Sequence, residues 1–343
     1  MHWPRSIRTA STSLDPRLIR DPDRSARRGP ACNVLRVTGG GGGTARPSGR
    51  AGFSAASTRW TLDEVGAQVG INTARAELVR RGEIAVYELT GVRGDWLVVR
   101  IARTVDHLPG FTTEVAVARW LELAAFPATR VAGPRHQPIV SADRVVTFWH
   151  KVAERESYGT AAELASLLRR LHALEPPASL VLPELRPFTG AAERIAQAEL
   201  PEADRDFLLG RLADLRDRYA QLEFALPQGP IHGNADVSSV LSLMWDGTPV
   251  LVDLDGFAVG PREWDLVLTA MYFERFGWHT EDEYLEFVAA YGFDVMSWPG
   301  YPVLRNVREL ILLTWLAQDP WHQPEVQAEV RGRIADLRAG NAD

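Results

Sequence analysis

The sequence predicts an α+β protein of two lobes, a small antiparallel sheet with one helix followed by a mainly helical region. Three observations lead there. Apolar and β-branched runs cluster early, at residues 85–89, 96–101 and 144–149, and then give way to apolar residues recurring at helical spacing. A chain of 343 residues, 45% of them hydrophobic, is long enough to fill two modest cores. Residues 1–58 are rich in Arg, Ser, Pro and Gly, include the run Gly39 to Gly43, and carry too few large apolar groups to offset chain entropy, so they are expected to be a disordered basic tail.

Order is expected to begin near Arg59-Trp60-Thr61-Leu62. The runs 85–89 and 96–101, separated by Arg93-Gly94-Asp95, predict a hairpin. A helix over 113–125 and a strand over 144–149 complete the first lobe, placed at 59–152, and the second lobe takes 153–343. Thr160 with Glu163 fits a capping box that opens a helix carrying Leu164, Leu167, Leu168 and Leu171 on one face. A second helix is expected over 203–222. Asp246-Gly247 between apolar runs is a strong hairpin signal. Helical patterns then follow at 265–276, 281–291, 303–317 and 324–337, the last with Pro324 at its start and Gly340 beyond its end.

Residues 1–60 hold eleven Arg against three Asp, whereas the remainder holds 27 basic against 41 acidic residues. An acidic body argues against nucleic acid as a partner and is compatible with a cationic small molecule. The tail itself is either a basic arm for an anionic partner or an unstructured extension. Cys32 is the single cysteine, which excludes an intrachain disulfide and a multi-cysteine metal site. No apolar run of signal or membrane-spanning length occurs, so a cytoplasmic protein without a membrane partner is expected.

Two segments carry chemistry: Ile231-His232-Gly233-Asn234-Ala235-Asp236 with Ser239 after it, and Val252-Asp253-Leu254-Asp255-Gly256 leading into Gly260-Pro261-Arg262-Glu263-Trp264-Asp265-Leu266. Together they resemble the aminoglycoside phosphotransferase family, in which a His-Gly-Asp loop with an Asn five residues on precedes an Asp-x-Asp segment. The resemblance implies a bilobal, protein-kinase-like fold from about residue 60 onwards, with ATP and Mg²⁺ as cofactors and a small hydroxylated molecule as acceptor. It implies that Asp253 is the acidic metal ligand, that Asn234 stands at the position of the catalytic Asp, and that Ser239 stands at the metal-binding Asn. An amide cannot accept a proton as a base. Ser239 is a shorter, neutral ligand, though magnesium often keeps waters that bridge such a gap.

Asp236 stands where many relatives carry His, a displaced carboxylate two positions from the site. His232 is read mainly as a brace for the loop. Asp255 is either a second metal-side carboxylate or a turn-former before Gly256, and Asp265 is expected to cap its helix and anchor the loop. In the first lobe, Gly82 marks a turn over the nucleotide phosphates. Arg100 stands where kinases place the phosphate-pairing Lys, with Glu114 as its ion-pair partner, and Trp149 begins a hinge at 149–152 against which a purine stacks. Tyr272, Phe273, Trp278, Trp298, Tyr301 and Trp315 are read as mostly core. Two functions stay open. One is a phosphotransferase that is impaired or works by altered roles; the other is a pseudokinase-like protein that binds nucleotide or small molecule without transfer.

Overall fold

The computed structural model describes residues 52–90, 96–153, 157–243, 246–318 and 324–340. The expected tail, with Cys32 and the glycine run, lies outside them up to residue 51, and so does the Arg93-Gly94-Asp95 turn. Two compact units emerge, one made of residues 52–108 with Ala132–Trp149, the other of Pro109–Val131 with the chain from His150 onward.

The first unit is a five-stranded sheet in the order β1-β2-β3-β5-β4: β1 (Glu77–Arg81), β2 (Ile84–Thr90), β3 (Trp96–Ala102), β4 (Ile139–Ser141) and β5 (Arg144–His150). Strand β2 pairs antiparallel with β3 from Ile84↔Ala102 to Thr90↔Trp96, which is the hairpin expected from the sequence. Alternation decides which face is covered. Ala85, Tyr87 and Leu89 from β2 and Leu97, Val99 and Ile101 from β3 point into one core with Val146 and Phe148.

Leu62 and Val65 of α1 (Ala55–Val69) close that core. This helix starts four residues before the expected onset of order. Ser54 and Ser57 form a reciprocal capping box at its start, and Gly70, with φ 74°, ends it in the left-handed conformation that favours glycine. Much of its buried face is polar. The Thr58 hydroxyl lies 2.8 Å from the Tyr87 hydroxyl, and the Arg144 guanidinium donates to the Ser57 carbonyl oxygen at 2.6 Å and to Thr61 Oγ1 at 2.7 Å.

The second unit carries α2 (Leu108–Leu123), which begins five residues before the expected helix. The segment after it joins the second unit through the Thr129 amide bonded to the Leu251 carbonyl oxygen at 2.8 Å and the Leu251 amide bonded to that of Pro127 at 2.9 Å. The helix α3 (Ala161–His172) opens with the expected box: Thr160 Oγ1 accepts the Glu163 amide and Glu163 accepts that of Thr160. Leu164, Leu167, Leu168 and Leu171 are buried, as their spacing requires.

Then come α4 (Ala191–Gln197), α5 (Glu202–Ala220), α6 (Glu263–Glu274), α7 (Glu281–Tyr291), α8 (Tyr301–Leu316) and α9 (Pro324–Arg338). Of the six aromatics read as mostly core, Tyr272, Trp298 and Tyr301 are buried, whereas Trp315 is exposed and stacks under the Arg194 guanidinium at 4.1 Å.

Two short antiparallel ladders are nested between α5 and α6. The outer pairs β6 (Gln228–Ile231) with β9 (Ala258–Pro261), and the inner pairs β7 (Val240–Ser242) with β8 (Pro249–Leu251). The expected Asp-Gly turn sits at the tip of the inner ladder, with Gly247 at φ 73° and the Thr248 amide bonded to Asp246 Oδ1 at 2.9 Å. Its strands are shorter than the apolar runs suggested. Nesting brings the two links between the ladders, 232–239 and 252–257, face to face.

Candidate functional site

The first link is held from below by one buried carboxylate. Asp265, in the first turn of α6, accepts the His232 amide at 2.7 Å, the Gly233 amide at 2.8 Å and His172 Nε2 at 3.0 Å. The other ring nitrogen of His172 meets the Tyr291 hydroxyl at 2.8 Å. Burial pushes the Asp265 carboxyl up, but the bonds from His172 and the His232 amide outweigh it and hold the group below the ordinary carboxylate range. Asp265 therefore anchors the loop as expected. It does not cap its own helix: the N-cap position is Arg262, and the carboxylate is spent on amides of a different segment.

The two links touch through glycines. Gly233 has φ 85°, and a Cβ built on it would collide with the Gly256 carbonyl; a Cβ on Gly256 would lie 2.9 Å from the His232 carbonyl oxygen. Replacing Gly233 by Ala is expected to cost about 2 kcal/mol or more, because left-handed strain alone is about 1–2 kcal/mol and the neighbour in the way is backbone. Gly82→Ala, with nothing within 4 Å of the new Cβ, is expected to stay within about 0.5 kcal/mol of the parent. Urea unfolding of both variants measures the contrast.

His232 is fully buried, with Nε2 2.8 Å from the Val252 carbonyl oxygen and its ring edge-on to Phe257. It braces one link against the other. Nδ1 has no hydrogen-bond partner among the described residues.

Asn234 is half-buried. Its Oδ1 faces Arg308 of α8, whose Nη2 lies 3.3 Å away, while Arg308 Nη1 lies 3.4 Å from the Gly233 carbonyl oxygen. The Trp264 indole donates to that same oxygen at 2.8 Å, and the guanidinium stacks over the Trp264 ring at 4.4 Å. Burial pushes the Arg308 guanidinium down to about 10, with Tyr272, Asp265 and Asp236 countering it, so the group is cationic at neutral pH.

Ser239 and Asp236 turn inward. Ser239, 2% exposed, donates from Oγ to the Asn234 carbonyl oxygen at 3.2 Å and accepts the Asp236 amide at 3.4 Å. Asp236, also 2% exposed, caps the 3-10 turn Val237–Ser239, its Oδ1 accepting the Ser238 amide at 2.7 Å and the Ser238 hydroxyl at 2.5 Å. Its Oδ2 is buried without a hydrogen-bond partner among the described residues, and so is the Tyr272 hydroxyl. Burial first, and then the nearby Asp236 carboxylate, push the Tyr272 phenol well up.

On the facing link, Asp253 takes the left-handed conformation, φ 60° and ψ 57°, a strained setting for a non-glycine residue. It is half-buried, and Asp255 two residues on is exposed. The loops bring Asn234, Asp236, His232, Ser239, Asp253 and Asp255 into one region of the second unit. Among the described residues, no three His, Cys, Asp or Glu side chains gather to hold a metal ion. Magnesium commonly takes one or two carboxylates and fills its shell with water and phosphate oxygens, so Asp253 fits that pattern. Ser239 fits it poorly. Its only proton and one of its two lone pairs are spent inside the loop.

In the sheet unit, Gly82 and Glu83 form the turn between β1 and β2, with Arg103 bonded to the Gly82 carbonyl oxygen at 3.4 Å and paired to Glu83 at 3.1 Å. Arg100 lies on β3 and is half-buried; Glu114 lies on α2 and is buried. Trp149 ends the unit, 4% exposed, with its indole N–H on Thr147 Oγ1 at 3.0 Å. Sequence reasoning missed Arg308, His172 and Tyr291. Each lies on a helix that carries several other polar residues, so nothing in the sequence marks it as the one that turns to the site.

Comparison with known proteins fits this geometry. The sequence profile of the phosphotransferase enzyme family matches residues 75–307. No curated protein sequence matches the chain. Among solved structures, amicoumacin kinase hAmiN in complex with AMP-PNP, Ca²⁺ and Ami is similar at TM-score 0.64 and 12% identity, over 83% of this chain and 95% of that one. Choline kinase LicA from Streptococcus pneumoniae is similar at TM-score 0.57 and 13% identity, over 82% and 100%. The aminoglycoside phosphotransferase APH(3'')-Id from Streptomyces rimosus is similar at TM-score 0.54 and 20% identity, over 75% and 98%. At such identities the likeness is one of fold, a kinase-like one, while the profile match covers well over half of the sequence. The chain belongs to the phosphotransferase enzyme family.

Proposed function

We propose that this protein binds ATP and a small hydroxylated molecule, as its ancestry implies, and that phosphoryl transfer between them is strongly slowed or lost. One observation carries the reading: residue 234, at the base position of the family loop, is a carboxamide whose oxygen is turned to the Arg308 guanidinium. In the family reaction the acceptor oxygen bonds to the γ-phosphorus, the bond to the ADP oxygen breaks, and the hydroxyl proton passes to a carboxylate. Asn234 has no site for that proton. Asp236 is a poor substitute, since it is buried and one of its oxygens is committed to Ser238.

Solved relatives of the same fold hold nucleotides, AMP-PNP in the amicoumacin kinase and AMP in LicA, which supports ATP as the ligand here. On this reading Gly82, Arg100, Glu114 and Trp149 are the nucleotide-side residues and Asp253, with Asp255 beside it, meets the cation. When bound, that cation would neutralise phosphate charge. The acceptor is of the small natural-product class that the relatives' names describe, and the acidic body favours one carrying amines.

The test is ATP binding by calorimetry, alongside magnesium-dependent ADP release over a panel of aminoglycosides, macrolides and choline. Binding without appreciable turnover is the expected result. Acceptor-dependent turnover in the unaltered protein within about tenfold of Asn234→Asp would overturn it, because a missing general base costs roughly 10²-fold or more.

A further inference from the structure

We infer that Arg308 is a positioning residue that fixes the Asn234 side chain. The inference rests on reading 234 as the base position.

Arg308 has only donors to offer, so the side-chain atom facing its Nη2 at 3.3 Å must be Oδ1; a reversed amide would set N–H against N–H. A second arm of the same fork reaches the backbone carbonyl next door, and the ring of Trp264 supports the plane of the guanidinium from behind. Residue 234 is thus gripped through both its side chain and the peptide before it. Both bonds are long for N–H···O, as suits a neutral acceptor; a carboxylate would draw the fork in.

A guanidinium 6% exposed needs an anion close by. Asp265 is bonded to three donors and is still the carboxylate that acts most on the guanidinium. Asp236 acts on it too: its Oδ2, the Tyr272 hydroxyl and Arg308 Nε are buried without a well-formed hydrogen bond among the described residues, and the carboxylate is close enough to the phenol to draw on its proton. Relative to the family pattern, residue 234 has lost its negative charge, and Arg308 holds the neutral amide that stands there.

The test is a double-mutant cycle in the full-length protein. Asn234→Asp is combined with Arg308→Lys and with Arg308→Gln, and each form is unfolded in urea at neutral pH. The two positions are expected to couple on the order of tenfold in the unfolding constant in the Arg308→Gln cycle, which removes the charge, and by less in the Arg308→Lys cycle, which keeps it. In the same proteins, the Asn234 side-chain amide resonances, identified by their loss in Asn234→Asp, are expected to shift in Arg308→Lys. A purely structural arginine would not move them. Should Arg308→Gln fail to fold, the Lys form and its spectrum carry the result. Additivity within about twofold, with unmoved resonances, overturns the inference. Strong coupling in a repaired protein that still fails to turn over ATP sinks the base reading instead and leaves this one standing.

Discussion

Changing Asn234 to Asp and Ser239 to Asn together is expected to raise ATP-dependent phosphoryl transfer by roughly 10²- to 10⁴-fold, the range that a general base contributes. The first change supplies a proton acceptor. The second restores a longer side chain with two polar termini, one able to keep the bond that Ser239 now makes to the Asn234 carbonyl oxygen, the other free to reach a cation. Asn234→Asp alone should give most of the gain and Ser239→Asn alone almost none, since improved metal holding does not create a base. The buried guanidinium of Arg308 will hold a new carboxylate ionised and lower its basicity, so the lower end of the range is expected. Single-turnover transfer from labelled ATP separates the chemical step from binding. A double variant that binds ATP yet transfers no faster than the parent would sink the idea that the loop substitutions are what limits the protein.

Asp265→Ala is expected to destabilise the fold by about 3–5 kcal/mol, a cost typical of removing one partner from a buried charged group. Three donors lose their acceptor at once: the His232 and Gly233 amides and His172 Nε2. Each unpaired buried donor costs about 1–3 kcal/mol. Asp265→Asn should cost less, because one carboxamide oxygen can still serve one amide. The pH dependence follows from the carboxyl lying below its ordinary range in the folded protein. Its contribution is complete above the unfolded carboxyl value of about 4 and is lost as pH falls through the lower folded value. The difference between parent and Asp265→Ala should therefore be constant near neutrality and shrink in acid. Urea titrations at several pH values measure it, and a difference that stays level down to acid unfolding would contradict the anchor role.

Much of the fold was legible because local chemistry and global packing agree. Thr160 with Glu163 announced α3, and Asp246-Gly247 announced the inner hairpin. The helix expected over 281–291 has those bounds, opened by a Thr280 cap and closed by left-handed Gly292. What escaped lacked an apolar period. Three of the six buried residues of α1 are Ser57, Thr58 and Thr61, which pack by hydrogen bonds and so leave no hydrophobic stripe. Strand β1 is exposed along its whole length, so no alternation marks it.

At the site, the loop residues were visible through their order, but the residues behind them were not. Arg308 is one of three charged residues on its helix, with Arg305 and Glu309, and only the fold reveals that it is the one that faces Asn234. Asp265 was recognised as an anchor; that its partners are the amides of residues 232 and 233 is a tertiary fact.

The capping of Val237–Ser239 by Asp236 has an implication for handling the protein without divalent ions. In this segment the side chains close upon their own backbone, so its architecture owes nothing to an electrolyte. Protection of the Ser238 and Ser239 amides against deuterium should be the same in EDTA as in excess magnesium, within about twofold, because both amides are satisfied from inside the chain. A chelator-induced rise in their exchange would mean that an ion, and not the turn, keeps the segment folded.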